Sequence, residues 1–222
     1  IPYTAAIVHQ KLGLDKCCMT FDIGQGCAGY THALTIFTGL MTTLHLDHAL
    51  LFTCDPYSEI VNRNDKNTAL LFGDAATASY LTRTEPGYVC IDADFGTVPN
   101  SYTCLQCQES LAMDGREVFN NAVREVPQSI QTLLTRNGLT LADIDLVLLH
   151  QGSKTVVDYL RQVLAISAEK APFAIQKYGN TISSSIPLLL KQPVQQHHHR
   201  RMVLSGFGVG FSWGSCLLEL EE

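Results

Sequence analysis

Three side chains in this sequence have the types and settings that nucleophilic and hydrogen-bonding catalysis uses: a thiol at Cys27, an imidazole at His150 and a carboxamide at Asn180. Cys27 lies in "DIGQGCAGYTHALTIFTGLM", after a short apolar run, between Gly26 and Gly29, at the start of a long helix-like stretch. That is how a fold presents a side chain at a helix N-terminus, where the partial positive charge favours an anion. A thiol there is expected to have a lowered pKa and to act as a nucleophile. The same position suits a buried structural cysteine. His150 closes the apolar run "LVLLH" and Asn180 sits in "YGNT". Taken singly, a hydrogen-bonded core histidine and a helix cap fit these two as well as catalysis does. Each of the three, however, ends a strand and opens a turn, and in an α/β sheet such turns gather at the carboxyl ends of the strands, where ligands bind.

Those turns need elements to hold them, and the apolar spacing supplies candidates. Residues 4–12 read as a helix, "CCMTFDI" as a buried strand, 28–44 as a helix and "HALLFTCD" as the next strand. After the polar turn "NRNDKN" comes "TALLFGDAATASYLTRT", an apolar strand carrying Phe72-Gly73-Asp74, and then "GYVCIDADF". Strand and helix alternate up to about residue 90, which predicts a layered α/β fold. Residues 91–112 read as irregular, a connection between two halves. A long helix follows from "MDGREVFNNAVREVPQSIQTLLTRNG", with Gly138 as its stop. "LTLADIDLVLLHQGSKTVVDYLRQVLAI" repeats strand, turn and helix, with Val156, Val157, Leu160, Val163 and Leu164 on one helix face. "APFAIQKYGNTISSSIPLLLKQ" gives the same plan a third time, and "RMVLSGFGVGFSWGSCLLELEE" closes the chain with two strands across a Gly-rich bend.

Composition narrows the function classes. A chain of 222 residues with 46% hydrophobic content buries a large core. A net charge of −6 argues against a general nucleic-acid or membrane-surface role. The eight cysteines fall mostly inside strand-like runs, as in a reduced, cytosolic protein. Cys104-Leu-Gln-Cys107 has metal spacing but no second pair, and His197-His198-His199 lies in a polar loop, so no metal is expected. No window has the apolar length to span a bilayer. The N-terminus begins in mid-helix pattern, and the expectation is of a chain that lacks its natural start.

"QGCAGYTHAL", "LLFGDAATASYL", "MDGREVFNNAVREVPQSI", "LADIDLVLLHQG", "KYGNTISSSIPLLL" and "LSGFGVGFSWGS" together resemble, in that order, the signature segments of the β-ketoacyl-[acyl-carrier-protein] synthase III family, which has the thiolase fold. The resemblance covers nearly the whole chain and implies two related α/β halves with mixed sheets layered between helices. The first half, residues 1–90, is incomplete and holds the nucleophile; 91–112 is the connection; 113–222 is the second half. Carried over residue by residue, Cys27 matches the acylated nucleophile, and His150 and Asn180 match the pair that handles the malonyl group. The N–H of Cys27 and that of Val209, in the bend "GFGVGF", match the oxyanion hole. Phe72 and Met113 match residues lining the acyl pocket. Ser153 stands where the family has an asparagine serving the cofactor arm, Thr155 where it has an arginine, and Lys154 is the nearby cation. Val209 replaces the middle of three glycines, which bears on the hole's geometry and the pocket's size. The resemblance also implies acyl-CoA or acyl-carrier-protein thioesters as substrates, no permanently bound cofactor, acyl carrier protein as a partner, a homodimer, and a cytoplasmic location.

Three other readings compete. A relative with the same fold could pass the acyl group from Cys27 to oxygen or nitrogen without decarboxylation; retention of Asn180 argues against it. A papain-type hydrolase also runs Cys, His, Asn in order, but its "CGSCW" segment is absent. A non-catalytic synthase partner would not be expected to keep all three reactive types.

Overall fold

The structure, a computed structural model, describes residues 1–221. Helix α1 (Thr4–Leu12) leads through an irregular stretch to α2 (Gly29–Thr43), then β1 (His48–Cys54), the short α3 (Lys66–Ala69), β2 (Ala76–Thr82) and β3 (Tyr88–Thr97). A small hairpin, β4 (Leu105–Cys107) and β5 (Leu111–Met113), precedes α4 (Gly115–Arg136). The remainder is β6 (Leu146–Leu149), α5 (Lys154–Leu164), α6 (Ser185–Gln196), β7 (Arg201–Gly208) and β8 (Ser212–Leu220). The main sheet runs in the order β3-β8-β7-β6, with β6 and β7 parallel and the other pairs antiparallel, while β1 and β2 form a separate antiparallel pair.

Strand periodicity sorts the core into layers. Val147 and Leu149 of β6 face one way, into a cluster with Ile130 and Leu133 of α4 and Val157 and Leu160 of α5. Leu146 and Leu148 face the other way, against Leu34 of α2 and Ile186 and Leu190 of α6. Leu51 of β1 closes that second cluster from its far side. The result is a stack of α4 and α5, the main sheet, α2 and α6, then the β1–β2 pair, the period-2 alternation of a sheet buried on both faces.

The ends of these elements follow local chemistry. The Asp114 carboxylate accepts from the Arg116 and Glu117 N–H groups at 3.0 and 2.9 Å and so starts α4, and Gly138, at φ +67°, takes the chain out of it. The Ser153 hydroxyl accepts from the Val156 N–H at 3.3 Å and caps α5.

Five expectations need correction. "CCMTFDI" forms no strand, since no neighbouring strand pairs with it among the described residues. Instead the Asp22 carboxylate caps α1 by accepting from the Thr4 and Ala5 N–H groups at 2.7 and 2.8 Å. Residues 91–112 are not irregular throughout, because β3 runs on to Thr97 along β8 and the β4–β5 hairpin follows. In the Phe72 stretch only 76–82 is a strand, and Phe72 itself makes an isolated bridge with Asn180. No strand precedes Asn180: the Gln151 side chain takes the place of a ladder, accepting from the Ala174 N–H at 3.0 Å and donating to the Leu149 and Pro172 carbonyls at 2.9 and 3.2 Å. On α5 the buried stripe is narrower than predicted, with Val163 48% exposed.

Candidate active site

Cys27 sits on a tight 3-10 turn, Gly26–Ala28, that feeds directly into α2. The turn packs on β7. A Cβ at Gly206 would lie 2.8 Å from the Cys27 carbonyl oxygen, and one at Gly208 would lie 2.7 Å from the Cys27 sulfur, so only a glycine backbone can come this close. Cys27 is 3% exposed. The lowered pKa expected of its position is not what the site gives: burial pushes the thiol up to about 12, the Val209 N–H that donates to it draws it part of the way back, and the charge of Asp55 pushes it up again. Loss of hydration outweighs the turn's dipole, because the thiolate is the charged form and has no water to replace.

His150 follows the last residue of β6, its N–H donating to the Ser205 carbonyl at 2.8 Å. Its Nδ1 lies 2.7 Å from the Ser185 hydroxyl, and its ring meets Phe207 edge-on at 5.4 Å. Burial pushes its pKa down to about 3, against a smaller upward pull from a hydrogen bond with the Ile182 main chain. The imidazole is therefore neutral at physiological pH.

Asn180 is held by a backbone zipper. Its N–H donates to the Leu71 carbonyl at 2.8 Å, and its carbonyl accepts from the Gly73 N–H at 2.9 Å. A Cβ at Gly73 would fall 1.8 Å from the Tyr178 carbonyl oxygen, which is why the Phe72-Gly73-Asp74 segment needs glycine at its centre. The Asn180 Oδ1 accepts from the Ile182 N–H at 3.0 Å, which leaves the amide NH2 as the free donor. Ile182 adopts φ +54°, a costly conformation for a β-branched residue. Its fully buried side chain and its bond to Asn180 hold it there.

Cys27, His150, Asn180, Phe72, Met113 and Ser153 all line one cavity of about 440 Å³. Val209 does not line it: its Cγ2 packs 2.9 Å from where a Gly26 Cβ would be, so it contributes its N–H while its bulk fills the space over Gly26, away from the cavity. Thr155 reaches the cavity; Lys154 does not and is ion-paired with Asp158 on the surface of α5.

Reading the sequence missed Ser185, Gln151 and Asp55. Ser185 carries the His150 ring, and Asp55 accepts from the Ser183 hydroxyl and, at 3.2 Å, from the Ser183 N–H, tying β1 to the turn after Asn180. The serine run of "NTISSSIP" was the available signal. Cys104 is buried and Cys107 exposed, and among the described residues no group of three or more His, Cys, Asp or Glu is placed to hold a metal ion.

Residues 21–99 match the family described as 3-oxoacyl-[acyl-carrier-protein] synthase III, and residues 134–220 match its C-terminal family. A curated relative, the β-ketoacyl-[acyl-carrier-protein] synthase III of Neisseria meningitidis (strain Z2491), is 33% identical over 98% of this chain and 72% of its own length. The chain belongs to the 3-oxoacyl-[acyl-carrier-protein] synthase III family. The crystal structure of the synthase III of Pseudomonas aeruginosa PAO1 superposes with a TM-score of 0.91 at 30% identity, covering 100% of this chain and 73% of that one. The priming β-ketosynthase of the R1128 polyketide pathway superposes at 0.88 with 25% identity over 100% of this chain and 71% of that one. The expected thiolase-like fold, α/β with mixed sheets layered between helices, is thus the fold of this synthase III chain.

Proposed function

We propose that this protein is an acyl-thioester condensing enzyme in which Cys27 takes an acyl group from coenzyme A or acyl carrier protein and passes it to a malonyl thioester with loss of carbon dioxide. The observation that carries this reading is the convergence of Cys27, His150 and Asn180 on one apolar cavity, with the Val209 N–H at the thiol.

The chemistry divides into two halves. In the first, the Cys27 sulfur attacks the thioester carbonyl, and the developing oxyanion is met by the N–H groups of Cys27 and Val209. The thiol proton leaves with the departing carrier thiol. The burial that raises the Cys27 pKa also leaves its thiolate poorly solvated, and a high-pKa thiolate is intrinsically the more nucleophilic. In the second half, loss of carbon dioxide from the malonyl group leaves an enolate whose oxygen needs neutral or positive hydrogen-bond donors. The neutral His150 imidazole and the Asn180 NH2 supply them. The enolate carbon then attacks the Cys27 thioester carbonyl and the C–S bond to Cys27 breaks, so the β-ketoacyl product leaves with its own carrier and the freed Cys27 thiolate takes up one proton to restore the thiol.

Phe72 and Met113 would bound the acyl group and its arm, and Ser153 and Thr155 would meet the arm where it enters. The division into residues 1–90, a connection at 91–112 and residues 113–222 belongs to the same reading, as do a cytoplasmic homodimer and the absence of a resident cofactor. Intact-protein mass spectrometry after offering a panel of acyl thioesters tests the first half: one acyl mass is expected, located on Cys27 and lost in Cys27→Ala. An acyl group that persists in Cys27→Ala would overturn the assignment.

A further inference from the structure

The neutral His150 ring carries a single proton, on one of two nitrogens, and the choice decides whether it can donate to a substrate or accept from one. Ser185 lies 2.7 Å from Nδ1 through its hydroxyl oxygen, and that same oxygen accepts from the Gln151 N–H at 3.4 Å. Ser185 is 1% exposed, so its hydroxyl proton has no water to go to. A buried O–H left undonated is costly. Among the described residues Nδ1 is the acceptor within its reach. Ile182, whose N–H goes to Asn180, can meet the ring only through its carbonyl, which accepts a ring N–H and so asks for the proton on the nitrogen that does not accept from Ser185. The other edge of the ring, at Nε2 and Cδ2, borders Gly152, where a Cβ would lie 3.6 Å from both atoms, and Gly152 lines the cavity with Cys27 and Asn180.

We propose that Ser185 is the positioning residue that fixes His150 in its Nε2–H form, by donating its hydroxyl proton to Nδ1. His150 is then a hydrogen-bond donor to the substrate oxygen, beside the Asn180 NH2, and is not the base that takes the Cys27 proton. This rests on the condensing reading above and deepens it. The same turn serves both donors: the Ile182 N–H holds the Asn180 Oδ1 and, three residues on, the Ser185 hydroxyl holds the His150 ring. One short segment therefore sets which polar hydrogens face the cavity.

The test compares the full chain with Ser185→Ala, Ser185→Thr and Asn180→Ala, measuring Cys27 acylation and malonyl decarboxylation separately. The tautomer is read from the ring-nitrogen chemical shifts of His150 in the ¹⁵N-labelled protein. The wild-type ring is expected as Nε2–H. Ser185→Ala should lose that preference and slow decarboxylation by about ten- to a hundredfold more than acylation, the usual scale for removing a group that orients a site residue. Ser185→Thr, which keeps the hydroxyl, should restore both readouts. A wild-type ring protonated at Nδ1 would overturn the inference even if Ser185→Ala failed to fold. So would Ser185→Ala decarboxylating at the wild-type rate while Asn180→Ala does not. If Asn180→Ala also decarboxylates normally, or the wild-type protein does not decarboxylate at all, it is the condensing reading that fails, and with it this inference.

Discussion

The two sheets that flank α2 and α6 are built to different standards. On the main sheet β6 buries all four of its residues, β7 seven of eight and β8 six of nine, with the edge strand β3 burying none, whereas β1 buries two of seven and β2 none. The open face of the β1–β2 pair presents Leu50, Phe52 and Tyr80 at 38%, 43% and 58% exposure. Cys27 belongs by chain order to the open region, yet its turn is seated on Gly206 and Gly208 of the closed one. His150 directly follows β6 of the closed region, while Asn180, in the turn before α6, is held by Leu71 and Gly73 from the segment between β1 and β2, so it is Cys27 and His150 that the main sheet registers. The position of the nucleophile is thus set by packing against β7 and not by the strand pair that precedes it in space.

That contrast can be broken most severely at Gly208. A methyl group there would fall 2.7 Å from the Cys27 sulfur, so Gly208→Ala should displace the turn and slow Cys27 acylation by about a hundredfold or more, as measured by single-turnover mass spectrometry. Acylation at the wild-type rate would mean that the turn has another anchor.

Cysteine alkylation sharpens the same point. Cys27 is buried, so the exposed Cys17, Cys18, Cys54 and Cys107 should react with iodoacetamide first. With its pKa raised to about 12, Cys27 holds little thiolate at neutral pH, and its rate should climb about tenfold for each pH unit until the thiol ionises. Peptide mapping over a pH series measures this. Fast, pH-independent labelling of Cys27 near pH 7 would contradict it.

Stability should divide along the two regions as well. Leu149→Ala, at a fully buried position of β6, should cost about 2–5 kcal/mol, and Leu50→Ala, on the open face of β1, less than about 1 kcal/mol. Urea denaturation of both variants gives the comparison, and equal losses would remove the distinction drawn above. The smallest effect is expected at Lys154→Ala. Its ion pair with Asp158 is an exposed one between residues four apart on α5, and it should cost no more than about 0.5 kcal/mol and leave acylation unchanged.

How much of this the sequence carried depended on whether local chemistry sufficed. Helix α4 was legible because its apolar residues recur at helical spacing and Gly138 marks its end, and β6 because "LVLL" is apolar on both faces. The six cavity-lining candidates were legible through resemblance to a family, since nothing in their spacing brings Phe72 beside Asn180. "CCMTFDI" was misread because an apolar run becomes a strand only with a partner, and here Asp22 is turned toward α1. The Cys27 pKa was misread because the turn's dipole is visible in a sequence and the burial that overrides it is not. Ser185 and Gln151 were invisible for a similar reason: their importance lies in which orphaned polar atoms they meet, thirty-five residues away for His150 and twenty-three for Ala174.

The central claim is that the acyl group on Cys27 leaves by forming a carbon–carbon bond. Cys27 is first acylated, excess donor is removed, malonyl thioester is added, and the carbon dioxide released is counted against the acyl groups lost, in the wild-type protein and in Asn180→Ala. One carbon dioxide per acyl group is expected from the wild type, with a loss of about two to three orders of magnitude in rate for the variant. Loss of the acyl group to an oxygen or nitrogen acceptor with no carbon dioxide released, at the same rate in both proteins, would contradict the account.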